Sequence, residues 1–293
     1  MSEECIKLNL DEESKCVCEG WLSKANKQLL KNEIYFSSPS EGEVFNAFKL
    51  FKPEETKVLI IGQDPYPSKG RNEGRAHGLA FSFANRNNII EPADDSLLNI
   101  FKAIVKYRKY KDIKENNDTA AWNTNLENWA KNKNNKVLLL NTALTYKDNE
   151  EHFSVWEEFV MDIISSLLIT KINGKDNFAV FLWGIEAQNI FAQSLNRLDK
   201  ECINEFKNID IIKDNRSKKK IRFKCIKKLI KGKKPLKSQT GNIKLYMTSH
   251  PSNNHQSVKK GFSDDAPKHF ECCDKFLGDD IWLKFPENNK SEK

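Results

Sequence analysis

Four short apolar runs stand out along the chain: Val58-Leu59-Ile60-Ile61, Val137-Leu138-Leu139-Leu140, Ala179-Val180-Phe181-Leu182-Trp183 and Leu245-Tyr246-Met247. None alternates with polar positions, which suits strands buried on both faces of a parallel sheet. Between them, apolar positions recur at helical spacing. Ser96 to Tyr107 gathers Leu97, Leu98, Ile100, Phe101, Ile104 and Val105 on one broad face, with Ser96 as a candidate N-cap. Val155 to Leu168 does the same with Trp156, Phe159, Val160, Ile163 and Leu167. Strands alternating with helices predict an α/β fold, a central parallel four-stranded sheet flanked by helices. The stretch from about 195 to 243 breaks the alternation. It reads as a basic insertion before the last strand, with Lys220 to Ile230 as a candidate hairpin. Residues 1–293 are otherwise expected to form a single domain.

The ends of the four strands change the picture from fold to chemistry. The first runs into Gly62-Gln63-Asp64-Pro65-Tyr66, the second ends at Asn141, the third at Gly184, and the fourth at Ser249-His250-Pro251-Ser252. Open α/β sheets bind ligands outside the carboxyl ends of their strands, so these groups are expected to converge on one crevice. Singly, each has a structural explanation: Asp64 before Pro65 can cap a turn, and Asn141 or His250 can satisfy backbone groups. Four polar groups at four strand ends are a stronger signal than any one. A phosphate-binding dinucleotide site is excluded, since no G-x-G-x-x-G follows the first strand and Asp64 there would repel a pyrophosphate.

Charge adds a partner. The chain of 293 residues carries a net +7. From Ile211 to Thr240 there are thirteen Lys/Arg against one acidic residue, a net +12 that leaves −5 for the remainder. A patch of that size suits a polyanion, although runs of like charge are also often simply solvated. Cysteine chemistry adds nothing: Cys5, Cys16, Cys18, Cys202, Cys225, Cys272 and Cys273 include no C-x-x-C pair, so a zinc or iron–sulfur site has little support and reduced thiols are expected. No apolar run approaches bilayer-spanning length, and Met1 to Asn9 carries Glu3 and Glu4 with no apolar core, unlike a secretory signal. The expected location is cytoplasmic, or nuclear in a eukaryote, with no membrane partner.

Taken in order, the motifs resemble those of family 1 uracil-DNA glycosylases. The resemblance runs through Val58-Leu-Ile-Ile-Gly-Gln-Asp-Pro-Tyr66, Ala76-His-Gly-Leu-Ala-Phe-Ser82, Ser96-Leu-Leu-Asn99, Val137-Leu-Leu-Leu-Asn-Thr-Ala-Leu-Thr145, Phe181-Leu-Trp-Gly184 and His250-Pro-Ser252, and ends at Ile281-Trp282. It implies hydrolysis of the N-glycosidic bond of a uracil flipped out of DNA, by a monomer without metal or organic cofactor. It implies Asp64 and His250 as catalytic residues: Asp64 holds and deprotonates the water, and a neutral His250 donates to uracil O2. Gln63, Tyr66, Phe81 and Asn141 are implied to bind the base. The Gln63 N–H acts as a second donor, Phe81 as a stacking face, Asn141 as the partner of O4 and N3–H, and Tyr66 as a block to a C5 methyl group. Ser96, Gly184, Ser252 and Asn254 are implied to meet DNA, and Lys218, Lys219, Lys220, Arg222, Lys227 and Lys228 are expected to add phosphate contacts.

The departures from the family pattern cluster on DNA engagement. Pro67 stands where the family has His, Ser68 to Arg75 is a longer loop, and Ile185 replaces a Ser. Asn254 stands in place of an intercalating Leu, and the basic insertion precedes His250. Two alternatives follow: a glycosylase for another modified base, or a DNA-binding or scaffold homologue without catalysis. Retained Tyr66 weighs against the first, and retained Asp64 and His250 weigh against the second.

Overall fold

The structure, a computed structural model, describes residues 6–7, 20–21, 34–84, 95–113, 122–147, 153–199, 202, 210–212, 242–252 and 256–285. Five parallel strands form the sheet: β1 (Val58–Gly62), β2 (Val137–Asn141), β3 (Phe178–Trp183), β4 (Asp210–Ile212) and β5 (Ile243–Thr248). Their spatial order is β2-β1-β3-β5-β4. The helices are α1 (Asp95–Tyr110), α2 (Glu127–Lys131), α3 (Phe153–Gly174), α4 (Ile185–Leu195) and α5 (Gln256–Leu277). Ile6–Lys7 forms a separate antiparallel ribbon with Tyr35–Phe36.

The four expected strands are the body of this sheet, and every residue of β1, β2 and β3 is buried. Register aligns their ends: Gly62 pairs with Asn141, Ile61 with Leu182, and Trp183 with Thr248. The fifth strand departs from the expected count. Asp210–Ile212 lies within the stretch read as an insertion and extends the sheet edge along β5, Ile211 pairing with Leu245. Of that stretch, residues 213–241 fall outside the described residues. So do the Lys220 to Ile230 hairpin, the six basic residues from Lys218 to Lys228, and Asn254.

Both helices read from the pattern exist and are longer than expected. α1 begins one residue earlier, at Asp95, so Ser96 lies inside the first turn and not at the N-cap. α3 buries Trp156, Phe159, Val160, Ile163 and Leu167, as the spacing predicts, and runs on to Gly174. The core is strongly aromatic: Phe270 stacks on Trp282 at 4.1 Å, and Phe181 on Tyr246 at 4.8 Å. α5 tolerates Pro267 in its interior. A proline removes the hydrogen bond to the carbonyl four residues back, here that of Ser263, and Lys106 Nζ from α1 donates to that oxygen at 3.2 Å. At the carboxyl end of the sheet, the Gln188 amide bridges the ends of β3 and β5, donating to Leu182 O (3.3 Å) and Thr248 O (3.2 Å). Among the described residues, no helix is long and apolar enough to cross a membrane.

Candidate active site

β1 ends in a glycine for a steric reason. A Cβ on Gly62 would lie 2.5 Å from Asn141 Oδ1 and 2.7 Å from Ala80 Cβ. Its absence lets the Asn141 carboxamide, 5% exposed, lie over the strand end. The next peptide is clamped: the Gln63 carbonyl accepts the Thr142 hydroxyl at 2.6 Å and the Ala143 N–H at 3.0 Å. That clamp orients Asp64, which follows at once. Burial raises the Asp64 carboxyl to about 6, against the opposing pull of a hydrogen bond to its own backbone. A carboxyl near neutrality is suited to general-base work.

The segment after the lengthened loop closes the other wall. Ala80 donates its N–H to Leu139 O of β2 at 3.1 Å, and His77 Nε2 lies 2.7 Å from Ser82 Oγ. Between these anchors Phe81 adopts a positive φ of 59°, a conformation that a bulky side chain rarely takes and that its surroundings must enforce. Its ring meets Trp183 edge-on at 5.5 Å and lies 5.9 Å from the His250 ring. Tyr66 packs edge-on against Phe83 at 5.0 Å.

His250 follows β5, and a Cβ on Gly184 (φ 93°) would come within 2.9 Å of its Cβ, so the end of β3 makes room for it. Its protonation state follows from its partners. The Ser252 N–H donates to His250 Nδ1 at 3.1 Å, and Ser252 Oγ lies 2.8 Å from the same atom. A nitrogen that accepts a backbone N–H carries no proton, so the neutral ring holds its hydrogen on Nε2. Burial also pushes His250 down to about 4, which keeps the ring neutral at pH 7.

The expected residues largely come together. Gln63, Asp64, Tyr66, Phe81, Asn141, Ser96 and His250 all line one cleft of about 130 Å³. A second cavity of about 440 Å³ adjoins it, sharing Gly62, Gln63 and His250, and brings in Gly184 and Ser252. Ile185 stands 40% exposed at the start of α4, beside that cavity. Asn99 is a positioning residue missing from the expected set. Its Nδ2 donates to Pro251 O at 2.6 Å and ties α1 to the loop that carries His250. The signal was its position three residues after Ser96, on the same helical face. Among the described residues, no group of three or more His, Cys, Asp or Glu could hold a metal ion.

Residues 48–276 match the Uracil DNA glycosylase superfamily model. Over 153 residues the chain is 36% identical to the uracil-DNA glycosylase of Idiomarina loihiensis, covering 51% of this chain and 61% of that protein. Over 168 residues it is 35% identical to the uracil-DNA glycosylase of Proteus mirabilis, covering 57% and 65%. The matched stretch thus spans less than two thirds of those relatives' length. A crystal structure of wild-type UNG from Nitratifractor salsuginis superposes with a TM-score of 0.52 at 18% identity, covering 92% of this chain and 96% of that one; the likeness is one of fold.

Proposed function

The chain belongs to the uracil-DNA glycosylase superfamily, and on that premise we propose that it hydrolyses the N-glycosidic bond of a uracil flipped out of DNA, leaving an abasic site. One observation carries the reading: Asp64, Tyr66, Phe81, Asn141 and His250, from three strand ends and one loop, line a single small cleft. A base must leave the stack before its glycosidic bond can be reached, and a pocket of this size suits one base and not a base pair.

The roles follow from the chemistry of each group. Phe81 stacks on the flipped ring. The Asn141 amide pairs with O4 and N3–H, a pattern that cytosine reverses, so cytosine would leave buried donors and acceptors facing like partners. Tyr66 stands against C5 and excludes thymine by its methyl group. Asp64 accepts a proton from a water whose oxygen bonds to C1′. The C1′–N1 bond breaks and its electron pair leaves with the base. Charge gathers on O2, where His250 Nε2–H and the Gln63 N–H donate. Because Nδ1 is engaged by Ser252, Nε2–H is the ring's one donor, and a ring already neutral stabilises the anion without giving up a proton.

The test is release of free uracil by purified protein from uracil-containing single strands and from U·A and U·G duplexes, measured across pH. Asp64 must be ionised, so single-turnover rate should rise tenfold per pH unit below about 6 and level off above it. A rate that falls between pH 5 and 8 would mean that His250 works as a protonated acid, and no release on any substrate would overturn the assignment.

The partner in this reading is DNA and the working form a monomer. The basic segment is proposed to supply part of the grip. Neutralising Lys218, Lys219, Lys220, Arg222, Lys227 and Lys228 should flatten the slope of log affinity against log salt by roughly 0.9 for each phosphate that is no longer neutralised. Base selectivity should stay unchanged, since phosphate contacts carry no sequence information. Affinities at several salt concentrations decide it: parallel slopes for native and neutralised protein would remove the segment from the DNA surface.

A further inference from the structure

We propose that Arg75 is a positioning residue that fixes the Tyr66 ring and thereby sets how strictly the base site excludes a 5-methyl group. The proposal rests on the cleft being a uracil site. Arg75 closes the lengthened loop and is held there by its backbone: its N–H donates to Asn72 O at 3.1 Å, and its carbonyl accepts the Ala84 N–H at 2.8 Å. Its Nη1 donates to Asn72 Oδ1 at 3.2 Å. The guanidinium carbon lies 4.5 Å from the centroid of the Phe83 ring. At 7% exposure the cation is largely desolvated, which strengthens its attraction to an aromatic face.

Phe83 passes this restraint on. It is buried, its N–H donates to Thr124 O at 3.0 Å, and its ring meets Tyr66 at 5.0 Å with planes 78° apart. The Tyr66 main chain is held independently, since its carbonyl accepts the Ser38 hydroxyl at 2.7 Å. With the backbone fixed, a phenol displaced toward Phe83 meets a buried ring over which the Arg75 guanidinium lies. The clearance beside C5 is therefore set by the far end of this stack, by a residue outside the cleft lining.

Arg75→Met keeps an unbranched apolar stem but removes the cation and its fork. Thymine excision relative to uracil should rise about tenfold, while kcat/KM on uracil stays within about threefold of wild type. Arg75→Lys, which keeps a cation for the ring, should restore most of the discrimination. Phe83→Leu breaks the relay from its other end and should relax selectivity in the same way, so a folding defect in one variant leaves the other to decide. In a Tyr66→Ala background, Arg75→Met should add nothing. An unchanged thymine-to-uracil ratio in variants that melt near wild type overturns the proposal, as does an additive effect in the Tyr66→Ala background. Wild-type protein that releases no uracil overturns the reading of the cleft itself, and the proposal falls with it.

Discussion

Asp64→Asn is expected to slow single-turnover excision by about 10²–10⁴-fold while raising thermal stability at neutral pH. The amide has the shape of the carboxyl but cannot take a proton from water, and it carries no negative charge to face a cationic sugar. The stability gain follows from the same burial. A carboxyl raised to about 6 in the folded chain ionises more easily when unfolded. Stability is thus lost as pH rises from the ordinary carboxylate range through 6, and the loss is complete above it. The raised value corresponds to a penalty of about 1–3 kcal/mol at pH 7.5, and a neutral amide avoids it. A gain of each 1 kcal/mol moves the melting point by roughly 2–4 °C in a chain of this size. Melting curves of wild type and variant should therefore diverge at pH 7.5 and approach one another near pH 4. Full activity in the variant would remove Asp64 from the reaction. Equal melting at both pH values would mean that the carboxyl is better solvated than its surroundings imply.

Gly62→Ala should be nearly as damaging, by another route. The added Cβ would stand 2.5 Å from Asn141 Oδ1 and 2.7 Å from Ala80 Cβ, closer than real Cβ contacts allow. Gly62 itself sits in β1 within the parallel ladder, so the cost is crowding and not backbone strain. Asn141 is the softer neighbour and is expected to move, breaking the two hydrogen bonds proposed for uracil. Each such group left unpaired costs about 1–3 kcal/mol, which together predicts a loss of about 10²-fold or more in kcat/KM on uracil. Product release on uracil strands measures it, with melting as the control for the fold. Wild-type rates would show that the Asn141 carboxamide is not what reads the base.

The four main strands were legible because each is a continuous apolar run, and the strand ends were legible because polar residues there have no place in a core. Strand limits were less so. β5 starts at Ile243, not Leu245, because Lys244 lies within it, its ammonium 4.5 Å over the Phe276 ring while the backbone pairs with Ala179. A charge inside a strand breaks the apolar pattern without breaking the ladder. β4 was missed because three residues beside a basic run carry too little periodicity, and its formation depends on the edge offered by β5. The Ser96 cap failed by two residues, within the usual uncertainty of helix ends. The polar residues that line the cleft could be named from pattern and resemblance, but the proton on His250 Nε2 could not, since it is set by a backbone N–H two residues away. Nor could the stack of Arg75, Phe83 and Tyr66, which joins a loop to a wall through ring faces that leave no periodic trace.

The order of the sheet has a consequence for the chain as it is made. β1, β2 and β3 are synthesised first and can pair with one another, but β5, which covers the open side of β3, comes only after the long segment between them. At roughly 5–20 residues per second, the ribosome needs about three to twelve seconds to cross that gap. Throughout it, a fully apolar strand presents an unpaired edge, the kind of template on which nascent chains aggregate. The last strand to arrive also delivers His250, so a stalled or truncated product lacks a working site and carries a sticky edge. On the proposed function, the appearance of excision activity in a translation reaction would report closure of the sheet.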